Sequence, residues 1–81
     1  MPPYYPHMIR YQNVSGISGV DAYDIGDDYI KILFQGGESY LYSYDTPGKE
    51  HVERMKELAA KGAGLSTYIS QHVKDRYEAK L

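Results

Sequence analysis

The chain has 81 residues, no cysteine and a formal net charge of -2, with tyrosine as its dominant aromatic. That length leaves room for one small domain, and the missing thiols exclude disulfide staples, thiolate metal sites and thiol catalysis. No apolar run approaches the roughly 20 residues needed to span a bilayer. The opening MPPYYPHMIRYQN lacks the charged-then-apolar order of a secretory signal. A soluble, cytoplasmic chain with no membrane partner is therefore expected.

Charge divides along the chain. Residues 1–45 carry Arg10 and Lys31 against six acids, whereas residues 46–81 carry seven lysines and arginines against five acids. This asymmetry is weak beside the basic patch of a protein that binds phosphates by counterion release.

Residues 1–13 contain Pro2, Pro3 and Pro6, which lack an amide hydrogen and fix φ. The segment reads as an irregular arm whose Tyr4, Tyr5 and Tyr11 pack back on a domain covering 14–81. From Ser15 to Asp24 a short irregular strand is expected, with a bulge near Asp21 to explain its broken alternation. The stretch Asp24 to Asp28 is turn chemistry around Gly26. A second strand follows from Tyr29 to Gln35, with Ile30, Ile32 and Phe34 on one apolar face.

Gly36 and Gly37 close a hairpin onto a third strand that carries Tyr40, Tyr42 and Tyr44. A two-residue primed turn sets Phe34 opposite Ser39 and turns the tyrosines away from the Ile-Ile-Phe face. A three-residue loop reverses that parity and places Tyr40 and Tyr42 beside Ile32 and Ile30. Thr46 is then a candidate N-cap with Pro47 as first helical residue, and Val52, Met55 and Leu58 recur at helical spacing. Gly62 stops this helix near Lys61. Ser66 is the candidate cap of a second helix, whose Ile69, Val73 and Tyr77 form one stripe. The expected fold is α+β: a three-stranded antiparallel meander followed by two α-helices packed on one sheet face. Its expected core is Ile17, Val20, Ile30, Ile32, Phe34, Val52, Met55, Leu58, Ile69 and Val73, with Tyr40, Tyr42 and Tyr77 partly buried.

One order of motifs runs through residues 14–77: Ser15 and Ile17, Tyr23-Asp24, Ile30-Ile32-Phe34, Gly37, Tyr40-Leu41-Tyr42, Pro47, Ala63 to Ser66, Tyr68, and Val73 to Tyr77. It resembles the KTSC domains, found at the C-terminus of some lysyl-tRNA synthetases and as stand-alone small proteins. The chain departs from that pattern by an extra residue near Asp21, another between Tyr42 and Pro47, and Ser66 in place of a glycine. The resemblance implies no enzyme activity, and through the synthetase connection it suggests RNA binding.

The residues themselves offer two readings. Strand-borne rings stack unpaired bases while nearby cations hold phosphates, so Tyr40, Tyr42, Tyr44 and Lys31 with Lys74, Arg76 and Lys80 of the last helix are the candidate RNA-binding set. The same residues serve equally as a surface for another protein or a second copy of the chain. Catalysis has less support. His7, His51 and His72 lack metal-ligand spacing, and Ser66 and Ser70 lack an activating motif. No catalytic residue, metal or cofactor is assigned.

Overall fold

The computed structural model describes residues 8–14, 16 and 18–81. Ile17, Tyr4, Tyr5 and His7 lie outside them. The described chain is a small α+β fold built on an antiparallel sheet of five strands in sequence order: β1 (Ile9–Arg10), β2 (Val20–Ile25), β3 (Tyr29–Phe34), β4 (Ser39–Ser43) and β5 (Ala79–Lys80). Between β4 and β5 run α1 (Lys49–Lys61) and α2 (Leu65–Tyr68), the latter continuing as a π-helical turn, Ile69–Val73.

The central meander follows the alternation of its sequence. Register slips between Val20 and Ala22, which puts the expected bulge at Asp21. The β3–β4 hairpin takes the three-residue loop. Phe34 N–H donates to the Glu38 carbonyl at 2.8 Å, leaving Gln35, Gly36 and Gly37 outside the ladder, with φ of 100° and 94° at the two glycines. Ile32 therefore opposes Tyr40 and Ile30 opposes Tyr42. Those four side chains share a face with Tyr23, which lies across from Ile32 on β2.

Two strands more are present than the three expected from sequence. Within the presumed irregular arm, the last proline is at position 6, so Ile9 and Arg10 are free to pair with Tyr23 and Ala22. The next residue, Tyr11, is only 3% exposed, and its hydroxyl accepts a hydrogen bond from Leu65 N–H at 3.3 Å. At the other end Ala79 and Lys80 pair with Leu41 and Tyr40.

The helix boundaries also move. Ser43 Oγ accepts the amides of Asp45 and Thr46, and Thr46 O accepts Ser43 N–H, folding 43–46 into a turn. The Thr46–Pro47 bond is cis and Pro47 lies alongside Ser43, so Thr46 does not cap α1 and Pro47 does not open it. Gly48 stands at the cap, and its carbonyl takes the Val52 amide at 3.0 Å. Gly62 ends α1 in the left-handed conformation, as expected. A Cβ at Gly62 would also sit 2.7 Å from Cβ of Gln12. Ser66 is not a cap either: Leu65, fully buried, is already helical, and Gly64 occupies the cap position.

The core joins Val20, Tyr23, Ile30, Ile32 and Tyr42 from the strands to Val52, Met55, Leu58, Ala59, Leu65, Ile69 and Val73 from the helices. Of the expected core residues, Val20, Ile30, Ile32, Val52, Met55, Leu58, Ile69 and Val73 fall in this cluster, Phe34 is only partly buried at its margin, and Ile17 lies outside the described residues. Tyr42 goes the other way and is fully buried. Leu33 and Ala22 are buried on the opposite sheet face, outside this cluster.

Candidate binding groove

The second helix determines where the candidate site forms. Lys74 N–H donates to the Ile69 carbonyl, an i to i-5 bond that closes the π turn, and Lys74 then leaves helical space at φ 56°, ψ -125°. The stripe expected from Ile69, Val73 and Tyr77 is thereby cut after Val73. Glu78 N–H donates to Leu41 O and Leu81 N–H to Ser39 O, both at 2.8 Å, which lays the tail along β4. Lys74, Arg76 and Lys80 therefore do not ride on one helix: the first two sit in the turn and Lys80 is on β5.

This return brings Tyr77 onto the β4 rings. Tyr77 and Tyr40 have centroids 4.6 Å apart, Tyr77 meets Tyr42 edge-on at 6.3 Å, and Phe34 meets Tyr40 edge-on at 5.5 Å. Together with Ile69 these rings line a groove of about 340 Å³ rimmed by Glu38, Lys74 and Asp75. Lys80 lies over the Tyr40 ring at 5.9 Å and pairs with Glu38 at 3.0 Å. That ion pair raises the Lys80 ammonium pKa. Both members are more than half exposed, so the pair itself adds little stability.

Of the expected site residues, Tyr40, Tyr42, Lys74 and Lys80 come together at this groove, and the others do not. Tyr42 is 2% exposed, and burial, followed by the nearby Tyr40 and Tyr77 phenols, pushes its hydroxyl pKa well up. Tyr44, beyond the end of β4, donates its hydroxyl to Glu53 at 2.6 Å and is faced by Lys49 and Lys56 at 5.8 and 5.6 Å. The bond to Glu53 leads the causes that push the Tyr44 phenol up to about 12. Glu53 is held below the ordinary carboxylate range, first by Lys56 and then by Tyr44. Lys31 points to the other sheet face, where it lies over Tyr29 at 5.6 Å. Arg76 turns back on the end of the π turn, donating to the carbonyls of Val73 and His72.

Phe34, Ile69 and Tyr77 were placed in the core by sequence reasoning and not at a site. The available signal was the Lys74-Asp75 pair, whose turn-forming character was masked by the helical spacing around it. Elsewhere, His51 Nδ1 and the Tyr68 hydroxyl lie 2.7 Å apart, and the His72 ring stacks beside Tyr68 at 4.8 Å. A second cavity, of about 310 Å³, is lined by Asp28, Tyr29, Asp45 and Glu78 among others. Among the described residues no three His, Asp or Glu side chains are grouped to hold a metal ion, and no helix is long and apolar enough to cross a membrane. Comparison with protein-family models, curated proteins and solved structures finds no match.

Proposed function

We propose that this chain is a non-enzymatic protein-interaction module that takes a side chain or short segment of a partner into the groove between the end of the β3–β4 hairpin and the turn at Lys74. The observation that carries this reading is the occupancy of the β4 rings. Tyr40 is in contact with the Tyr77 ring and approached by the Lys80 ammonium, Tyr42 is buried, and Tyr44 is faced by two lysines and bonded to Glu53. A base needs a free ring face to stack on, so these contacts favour a protein ligand over RNA. The groove instead offers apolar edges with a mixed-charge rim, the composition of a peptide site. In this reading both helices cover the Ile30, Ile32 and Tyr42 face and hold the groove wall in place. The domain is taken as a KTSC-type domain on the motif order given above, and it acts without catalysis in the cytoplasm.

The test is a titration of ¹⁵N-labelled protein, at low salt, with a mixed-composition peptide library and separately with mixed-sequence single-stranded RNA. Peptides are expected to shift the amides of Phe34, Tyr40, Ile69, Lys74 and Tyr77. RNA-induced shifts across Tyr40 to Tyr44 that fade as salt rises would replace this reading with the RNA one. Self-association at high protein concentration, read by sedimentation, would make the partner a second copy.

A further inference from the structure

The groove is aromatic and its charges cancel. Glu38 at the rim pairs with Lys80 at 3.0 Å, and Lys74 and Asp75 are of opposite sign, so no net charge selects an ionic ligand. Tyr40 meets Phe34 edge-on at 5.5 Å and Tyr77 at 4.6 Å with planes tilted by 42°, which makes the three rings a set of ridges and not a flat platform. One donor is left over. The hydroxyls of Tyr11, Tyr44 and Tyr68 are each in a hydrogen bond, whereas that of Tyr40 has no partner among the described residues. A matching ligand is uncharged, apolar and richer in hydrogen-bond acceptors than in donors. Proline-rich segments have this character. Each proline removes an N–H and keeps its carbonyl, the polyproline helix makes no internal hydrogen bonds, and such segments dock in aromatic-lined grooves.

The chain itself carries one such segment. Residues 1–7, MPPYYPH, hold three prolines and two tyrosines and no lysine, arginine, aspartate or glutamate. We infer that the groove takes this proline-tyrosine segment from a second copy of the chain, with a proline packed on the Phe34 and Tyr77 rings and the Tyr40 hydroxyl donating to a carbonyl of the segment. The inference rests on the protein-binding reading above and names its partner. Strand order assigns the segment to another copy. Ile9 pairs with Tyr23 and Arg10 with Ala22, so the chain read from Ile9 back to Met8 heads for the Asp24 end of β2, whereas Phe34 pairs with Val20 at the opposite end. β1 also lies three strand spacings from β4, about 14 Å, and the buried Tyr23 and Ile32 fill the row between Ile9 and Tyr40. The chain direction at Ile9 therefore points away from the groove of the same copy.

The receptor is the ¹⁵N-labelled full chain carrying Pro2→Ala, Pro3→Ala and Pro6→Ala, and the probe is the synthetic peptide MPPYYPH, amidated at its C-terminus. The probe is expected to shift the amides of Phe34, Tyr40, Ile69 and Tyr77. The same peptide with alanine at its three proline positions should bind about tenfold more weakly, because the prolines restrict the free segment. Tyr40→Phe in the receptor should weaken binding about fivefold, the loss of one hydrogen bond, with an unchanged melting temperature. Sedimentation of the wild-type chain should show association that rises with concentration. The proline-substituted chain and Phe34→Ala should each lose it, and an equimolar mixture of the two should regain part of it, since one supplies the groove and the other the segment. Groove amides that MPPYYPH leaves unmoved but the mixed-composition library shifts overturn the inference while the protein-binding reading stands. Equal affinity for the alanine peptide, or a wild-type chain that stays monomeric, overturns it as well. Shifts from neither MPPYYPH nor the library remove both.

Discussion

At the scale of single residues, the tyrosines divide by what happens to the hydroxyl. Tyr44 keeps its ring near the surface but commits its O–H to Glu53, while Lys56 pairs with the same carboxylate at 2.8 Å and also donates to the Asp27 carbonyl at 2.9 Å. One glutamate thus ties the end of β4 to α1, and through Lys56 to the β2–β3 turn. The phenol pKa rises from 10.0 to about 12 in the folded chain. Between those values the unfolded chain has released the proton and the folded chain retains it. The stabilisation is therefore complete below pH 10 and is lost as pH rises through the folded pKa. Tyr42, raised mainly by burial, acts in the same direction. The urea midpoint should accordingly fall above about pH 10. In a titration followed by tyrosinate absorbance, Glu53→Gln should return one late-ionising phenol towards about 10. A titration curve identical to wild type would remove Glu53 as the cause.

At the scale of elements, the β3–β4 hairpin shows how one backbone residue assigns a whole face. The loop Gln35-Gly36-Gly37 holds Tyr40 and Tyr42 beside Ile32 and Ile30. Deleting Gly36 leaves a two-residue turn, and each side chain of β4 then moves to the opposite face. Tyr42 would leave the core, and the loss should be at least about 3 kcal/mol, as for removing a large buried aromatic. Gly37→Ala makes a useful contrast. No atom lies within 4 Å of the added Cβ, so its cost is conformational, about 1 to 2 kcal/mol. A Gly36-deletion variant as stable as Gly37→Ala would refute the register argument. The same hairpin marks the limit of the sequence. Two glycines are compatible with either loop, and burial of the tyrosines selects one through contacts distant along the chain. The body of α1 was legible, because Val52, Met55 and Leu58 repeat locally and Gly62 stops the helix. Its start was not, since Ser43 draws Asp45 and Thr46 into a turn that no local propensity announces. The groove was legible only as Tyr40, Tyr42, Lys74 and Lys80 named singly. Ile69, Val73 and Tyr77 satisfy helical spacing equally well whether Tyr77 ends a helix or closes a groove.

At the scale of the whole molecule, the chain runs through four strands, leaves the sheet for its helices, and returns to add β5 beside β4. The return is held by two backbone hydrogen bonds flanking a two-residue ladder and by the packing of Tyr77 on Tyr40 and Tyr42. Such a short strand cannot hold its place by ladder bonds alone, as each contributes only about 1 kcal/mol net. The ring of Tyr77 is therefore the main anchor of the tail as well as a wall of the groove. Because Tyr77 is only partly buried, Tyr77→Ala should cost about 2 kcal/mol, less than a full aromatic truncation. It should also expose the Ala79 and Lys80 amides to hydrogen exchange and abolish peptide binding. Tyr77→Phe retains the ring and should keep both stability and binding. Urea denaturation and amide exchange separate the outcomes. An unchanged midpoint with unchanged exchange in Tyr77→Ala would mean that the tail is held by its backbone, and that the groove wall is not built by this ring.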